Sequence, residues 1–260
     1  MAAPGYLVEM KGSIALVTLN RQDSLNSFTD QMLDAWEGEW RRLSDDPAVR
    51  VVVITGAGKA FSSGIDLRTK DLTKVTRLPE LSYGRHWIAQ LQQLSKPTIA
   101  AVNGVAAGGG FGMALGCDIR LASDKARFAA NFANIGMPVL DAVGHTLVQA
   151  VGLSRALEMI YTAEVINADE AARIGLVSHV YPHEQLMDKT MELAERIAAG
   201  PPVALSLSKH AVYASVGRSL AEFMPYQYLA SQLSKAVAGH DVAEGGLAFK
   251  EKRKPKFKGR

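Results

Sequence analysis

Three short, almost unbroken apolar runs, spaced far enough apart to hold helices between them, constrain this chain most. They are Ile14-Ala-Leu-Val-Thr-Leu19, Arg50-Val-Val-Val-Ile-Thr55 and Thr98-Ile-Ala-Ala-Val-Asn103. Each is strand length and rich in branched residues, and such a run needs cover on both faces, as in a parallel sheet. After the first run, Phe28, Met32, Trp36, Trp40 and Leu43 recur at helical spacing, so the two tryptophans read as core. Ser27 reads as the N-cap of that helix, with Asp30 three residues on, and Asp45-Asp46-Pro47 ends it. A polar stretch from Arg68 to Pro79 and a helix from Tyr83 to Leu94 precede the third run. This rhythm predicts an α/β fold with largely parallel strands.

Beyond Pro182 the signals are helical only. Leu186, Met187, Met191, Ala194 and Ile197 form one stripe, and Gly200-Pro201-Pro202 breaks the chain. Helices over Val203–Ser215 and Leu220–Val237 follow, which predicts a core over 1–200 and C-terminal helices with a basic tail over 201–260. Their apolar faces call for packing onto the core or another subunit.

Composition excludes several classes. With 48% hydrophobic residues the chain can bury a core, so global disorder is out. The longest apolar run, Ile99 to Cys117, is interrupted by Asn103 and holds six glycines, unlike a membrane span. No basic segment followed by an apolar one opens the sequence, so no signal peptide is expected. The single Cys117 excludes a disulfide framework and points to a reducing, cytoplasmic setting. Pro182 separates His179 from His183, and no metal site is predicted. From Lys250 onward seven basic residues face one acid, Glu251. Charge confined to a tail argues against nucleic-acid binding; it reads either as solvated or as a site for an anion such as a phosphate.

Gly108-Gly-Gly110 directly follows the third buried run. A helix starting there would offer unpaired N–H groups to an anion or to an oxyanion developing on a thioester. A tight helix–strand packing turn is the other reading. No dinucleotide fingerprint is present, since Met113 and Leu115 occupy its last position, and Ser206-Leu-Ser-Lys209 matches S-x-x-K by chance. A second glycine turn, Phe61-Ser-Ser-Gly-Ile-Asp-Leu67, follows the second buried run. Turns at the carboxyl ends of parallel strands can converge, and one N–H from each would make a two-donor site. Alternatively this is a surface turn with Asp66 capping the next helix.

The sequence resembles the crotonase (enoyl-CoA hydratase/isomerase) superfamily over essentially its whole length. The matching pieces are Asn20-Arg21 with Leu25-Asn26, Lys59-Ala-Phe-Ser-Ser-Gly-Ile-Asp66, Lys96-Pro-Thr-Ile-Ala-Ala-Val-Asn-Gly104 and Gly108-Gly-Gly110. Cys117-Asp-Ile119, Ala168-Asp-Glu-Ala171, Gly175-Leu-Val177 and Glu251-Lys-Arg-Lys-Pro-Lys-Phe257 continue the match. The resemblance implies a spiral of ββα units with C-terminal helices that build a homotrimer or hexamer. It implies acyl-CoA thioesters as substrates, with coenzyme A part of the substrate and no separate cofactor; from the apolar runs, no membrane partner is expected. The oxyanion hole falls on the N–H groups of Ile65 and Gly109. Lys59, Ala60, Ser62 and Gly64 lie along the CoA nucleotide, and Lys254 and Lys256 meet its phosphates from a neighbouring subunit.

The family's hydratases carry two glutamates, and here those positions hold Gly112 and Phe132. Neither can move a proton. The nearest carboxylate is Asp141, read either as a base in an apolar pocket or as the N-cap of a helix over Val143–Val151. His145, four residues on, shares its helical face and would tune it, or is simply a first-turn histidine. His86 is a weaker candidate. The favoured reading is a double-bond shift on an enoyl-CoA with Asp141 as proton carrier. The alternatives are a hydratase, hydrolase or lyase using Asp141 and His145, and a catalytically degenerate acyl-CoA binder.

Overall fold

The computed structural model describes residues 5–69, 87–140 and 142–260. In chain order the elements are β1 (Tyr6–Lys11), β2 (Ile14–Leu19), α1 (Asp30–Asp45), β3 (Val51–Gly56), β4 (Ala60–Ser62), α2 (Trp87–Gln93), β5 (Thr98–Val102), β6 (Val105–Ala107), α3 (Gly109–Gly116), β7 (Ile119–Ser123) and β8 (Arg127–Ala129). They continue with α4 (Val143–Val151), α5 (Leu153–Thr162), β9 (Ile166–Asn167), α6 (Ala168–Arg173), β10 (His179–Tyr181), α7 (Leu186–Ala198), α8 (Pro202–Ser215), α9 (Leu220–Val237) and α10 (Gly239–Lys250).

Two sheets result. One runs β1-β2-β3-β5-β7-β10, parallel except for the β1–β2 hairpin, and the other runs β4-β6-β8-β9. Each successive turn of chain gives one strand to each sheet, as β3–β4, β5–β6 and β7–β8, which is a ββα spiral. The corners after β3 and β5 are glycines because backbone crosses there: a Cβ on Gly56 would stand 2.1 Å from Ala60 O, and one on Gly104 2.1 Å from Lys59 O.

Both faces of the large sheet are covered, which explains the unbroken apolar runs. Val51, Val53, Ile99, Ala101 and Leu121 pack against Leu186, Ala194 and Ala198 of α7. Their alternates Val52, Ile54, Ala100 and Val102 join the main core with Phe28, Trp36 and Trp40. Trp36 is fully buried, edge-on to Phe28 at 4.6 Å between ring centres.

The structure corrects two local readings. Helix α1 is capped by Thr29, whose hydroxyl accepts from Met32 N at 3.2 Å, and not by Ser27. Ser27 is committed to the Arg21 guanidinium, and Phe28 stays extended to bridge Ile65, so the helix cannot begin earlier. A further helix, α10, precedes the basic tail, and the tail is folded back rather than free. Asp241 accepts from Lys258 N and Gly259 N, both at 2.7 Å, while Arg50 donates to Phe257 O at 2.8 Å. No residue of α8 or α9 is buried as a whole within the chain, and Leu220, Met224, Tyr228, Leu229 and Val237 stand exposed. The sequence expectations for 70–86 lie outside the described residues.

Candidate active site

The two glycine turns meet. The first leaves β4 through Ser63, Gly64, Ile65 and Asp66; the second leaves β6 through Gly108 into α3. Gly64 has φ +89, and a Cβ there would stand 2.7 Å from Gly109 N and 2.8 Å from Ala107 O. Gly108, at φ +52 and ψ −123, makes the abrupt entry into α3 that a side chain would strain. Gly110 allows an equally close approach, since its Cβ would lie 2.2 Å from Ser62 O. The three glycines are therefore a backbone contact between two loops as well as a helix start.

At this junction opens a cavity of ≈ 250 Å³. Backbone of Gly108 and Gly109 forms one side, and Ile65, Leu67, Phe132, Ile135, Met137 and Leu140 give an apolar wall. Ser63 and Asn131 supply its polar side chains, and no titratable group lines it among the described residues. Neither the Ile65 nor the Gly109 N–H has an acceptor among the described residues. Gly109 opens α3, where a first-turn N–H has no partner within the helix.

The other predicted residues are placed as follows. Ser62 is fully buried; its hydroxyl donates to Asn26 O at 2.8 Å and accepts from Gly64 N at 3.1 Å, so it shapes the turn from inside. Ala60 is buried as well, whereas Lys59 is exposed. Lys254 and Lys256 are exposed on the tail, which docks through Arg50 at the start of β3. Lys59 follows the end of β3, so one chain does not bring these lysines together. Gly112 is buried inside α3, and Phe132 forms cavity wall. His145 is exposed on α4, its Nε2 2.5 Å from Gln149 Nε2 one turn along, and does not line the cavity. Asp141 and His86 lie outside the described residues; Leu140, next to Asp141 in sequence, is a cavity residue.

Sequence reasoning did not single out Asn131, Ile135 or Met137. The only signal was their position in the loop between β8 and α4, beside Phe132.

Comparison with known proteins follows the same geometry. The sequence pattern of the enoyl-CoA hydratase/isomerase family matches residues 9–260. The chain belongs to the enoyl-CoA hydratase/isomerase family. It is 38% identical to a probable mitochondrial enoyl-CoA hydratase of Dictyostelium discoideum, covering 95% of this chain and 88% of that protein. It is 35% identical to the short-chain-enoyl-CoA hydratase of Clostridium acetobutylicum, over 98% and 97% of the two chains. Among solved structures, an enoyl-CoA hydratase subunit I from Geobacillus kaustophilus superposes with a TM-score of 0.91 at 36% identity, covering 98% of both chains. The fold is thus that of the crotonase superfamily. These relatives are named hydratases, so they share this chain's family without singling out isomerisation.

Among the described residues no three His, Cys, Asp or Glu side chains gather as a metal site, and no helix is long and apolar enough to cross a membrane.

Proposed function

We propose that this protein shifts the double bond of an enoyl-CoA thioester, holding the intermediate enolate between the N–H groups of Ile65 and Gly109. One observation carries the reading: Ile65 and Gly109, whose N–H groups have no acceptor among the described residues, both line an apolar cavity whose described lining contains no titratable side chain. Such donors are suited to charge that develops on a carbonyl oxygen. The base removes a proton from C2 of a 3-enoyl thioester, the electrons pass to the thioester oxygen, and the same group returns a proton at C4. Only one base and no activated water are needed. Asp141 is our candidate for that base, because the lining residue Leu140 precedes it and the family's two glutamate positions hold Gly112 and Phe132.

Coenzyme A enters as part of the substrate, passing the exposed Lys59 and the outer side of the turn through Ala60, Ser62 and Gly64, which Ser62 shapes from inside. Lys254 and Lys256 would reach its phosphates from a neighbouring protomer, since within one chain they sit at the far end of β3 from Lys59. The exposed apolar residues of α8 and α9 support a homotrimer or hexamer. A single buried thiol suits the reducing cytoplasm. His145 keeps at most a tuning role from the outer face of α4.

Hydration of a 2-enoyl-CoA is the second reading, favoured by the names of the relatives. Incubation with 3-enoyl- and 2-enoyl-CoA esters, followed by conjugated-thioester absorbance and mass, separates the two. Conjugation without mass change, abolished in Asp141→Asn, supports the isomerase; a gain of one water from the 2-enoyl ester supports the hydratase. Tight binding without turnover marks a degenerate acyl-CoA binder.

A further inference from the structure

Ile65 lies on a short segment that another part of the chain holds by a row of hydrogen bonds. Ser63 N donates to Leu25 O at 2.9 Å, Phe28 N to Gly64 O at 2.7 Å and Asp66 N to Phe28 O at 2.9 Å. A trans peptide holds its C=O and N–H on opposite sides. Because Gly64 O is tied to Phe28, the Ile65 N–H of the same peptide points away from the 25–28 segment. The direction of this donor is therefore set by where residues 25–28 sit.

That segment is itself strained and must be held. Leu25 and Asn26 have φ of +52 and +56, a region that residues with a side chain rarely adopt. Asn26 is fully buried, and its amide donates to Ala57 O at 2.9 Å and Ala60 O at 2.8 Å while its Oδ1 accepts from Arg21 N at 2.9 Å. The link across to the donor loop is Arg21. One guanidinium nitrogen donates to Ser27 O at 2.6 Å and Ser27 Oγ at 3.1 Å, and the other to Asp66 Oδ2 at 3.0 Å. Asp66 is 3% exposed. Arg68 also binds it, from Nε at 2.9 Å and Nη2 at 2.8 Å, but Arg68 is two residues along the same loop, so this pair ties Asp66 to its own loop and not to the 25–28 segment.

We propose that Arg21 and Asp66 are positioning residues that clamp the 25–28 segment to the Gly64–Asp66 loop and so aim the Ile65 N–H at the substrate's thioester oxygen. The inference rests on the oxyanion reading above. Neither side chain lines the cavity, so the clamp acts through the backbone alone. A planar two-armed donor is required: it must reach a backbone carbonyl and a carboxylate at once, which a lysine ammonium cannot match in geometry.

The test uses Asp66→Asn and Arg21→Lys in the full-length protein, with hexadienoyl-CoA as probe. Binding to the wild type should lower the thioester carbonyl stretching frequency. Because hydrogen bonds weaken steeply with misalignment, each variant should lose about half or more of that shift. Turnover of the enoyl-CoA that the wild type converts should fall about 10- to 100-fold in kcat, the scale of a misplaced catalytic group. KM should stay within about threefold, since the interaction is made chiefly in the transition state. Folded variants with the wild-type carbonyl shift, or with loss in KM alone, would overturn the clamp. If Asp66→Asn does not fold, Arg21→Lys, which keeps the charge, decides by the same readouts. A wild type whose bound probe shows no carbonyl shift would instead sink the oxyanion reading, and the clamp with it.

Discussion

Lys209 on α8 places its ammonium 3.0 Å from the carboxylate of Asp118, the residue between Cys117 and β7, and the lysine side chain is only 6% exposed. Asp118 also accepts from Thr98 N at 2.7 Å and the Tyr213 hydroxyl at 2.9 Å, and Lys209 donates to Lys96 O at 3.0 Å. Desolvation holds the lysine below its ordinary range although Asp118 opposes that shift. This pair is how the C-terminal helices read the core. Lys209→Met leaves a shielded carboxylate without its cation and should cost about 3 kcal/mol. Calorimetry should then show Tm lower by roughly 6–12 °C, given ~2–4 °C per kcal/mol in a chain of this size.

Gly64→Ala tests the contact between the two turns. The added methyl meets Gly109 N at 2.7 Å in a backbone at φ +89, so one loop must move. Losing alignment of a donor pair should reduce kcat about 100-fold or more in steady-state assays. An active Gly64→Ala variant would show that the turns need not touch.

The Glu244 carboxyl is pulled down to about 2, first by the hydrogen bonds from Arg253 and then by Lys256 N. A depressed acid stabilises the fold at every pH above its unfolded value. That contribution is lost as pH falls from 4.5 toward 2. Glu244→Gln should therefore be less stable than wild type at neutral pH, and the two should converge near pH 2 in denaturant titrations. Asp66, held low by Arg68 and then Arg21 against its own desolvation, adds to the same acid loss.

Cys117 is buried, and desolvation, followed by the charge of Asp118, pushes its thiol up to about 12. The thiolate is the reactive form. Native protein should be inert to a disulfide reagent at neutral pH, and one thiol should titrate after unfolding in guanidinium. Fast labelling of the native state would contradict this burial.

Phe132→Glu would place a carboxylate in the cavity wall. If the missing acids are what limits hydration, the variant should hydrate a 2-enoyl-CoA at least ~100-fold faster than wild type, the low end for general acid–base catalysis. Mass analysis of the product checks it.

Runs such as Ile14–Leu19 and Thr98–Asn103 determined their strands unaided, because a residue run that is apolar on both alternating faces has only one low-energy home. The spacing of Phe28, Trp36 and Trp40 likewise determined a helix and its buried face, and the glycines at 64 and 108–110 marked where backbone must turn or touch. Those signals are local: period, branching and φ tolerance belong to neighbouring residues. Tertiary structure alone decided that Thr29 and not Ser27 caps α1, because Arg21 had already taken Ser27. It alone made Ile135, Met137 and Leu140 one wall with Ile65, and folded the basic tail onto Asp241. It also joined Arg21 to Asp66, 45 residues away. A polar side chain bonds whichever group the fold brings within about 3 Å, and that distance is set by the packing of the whole chain.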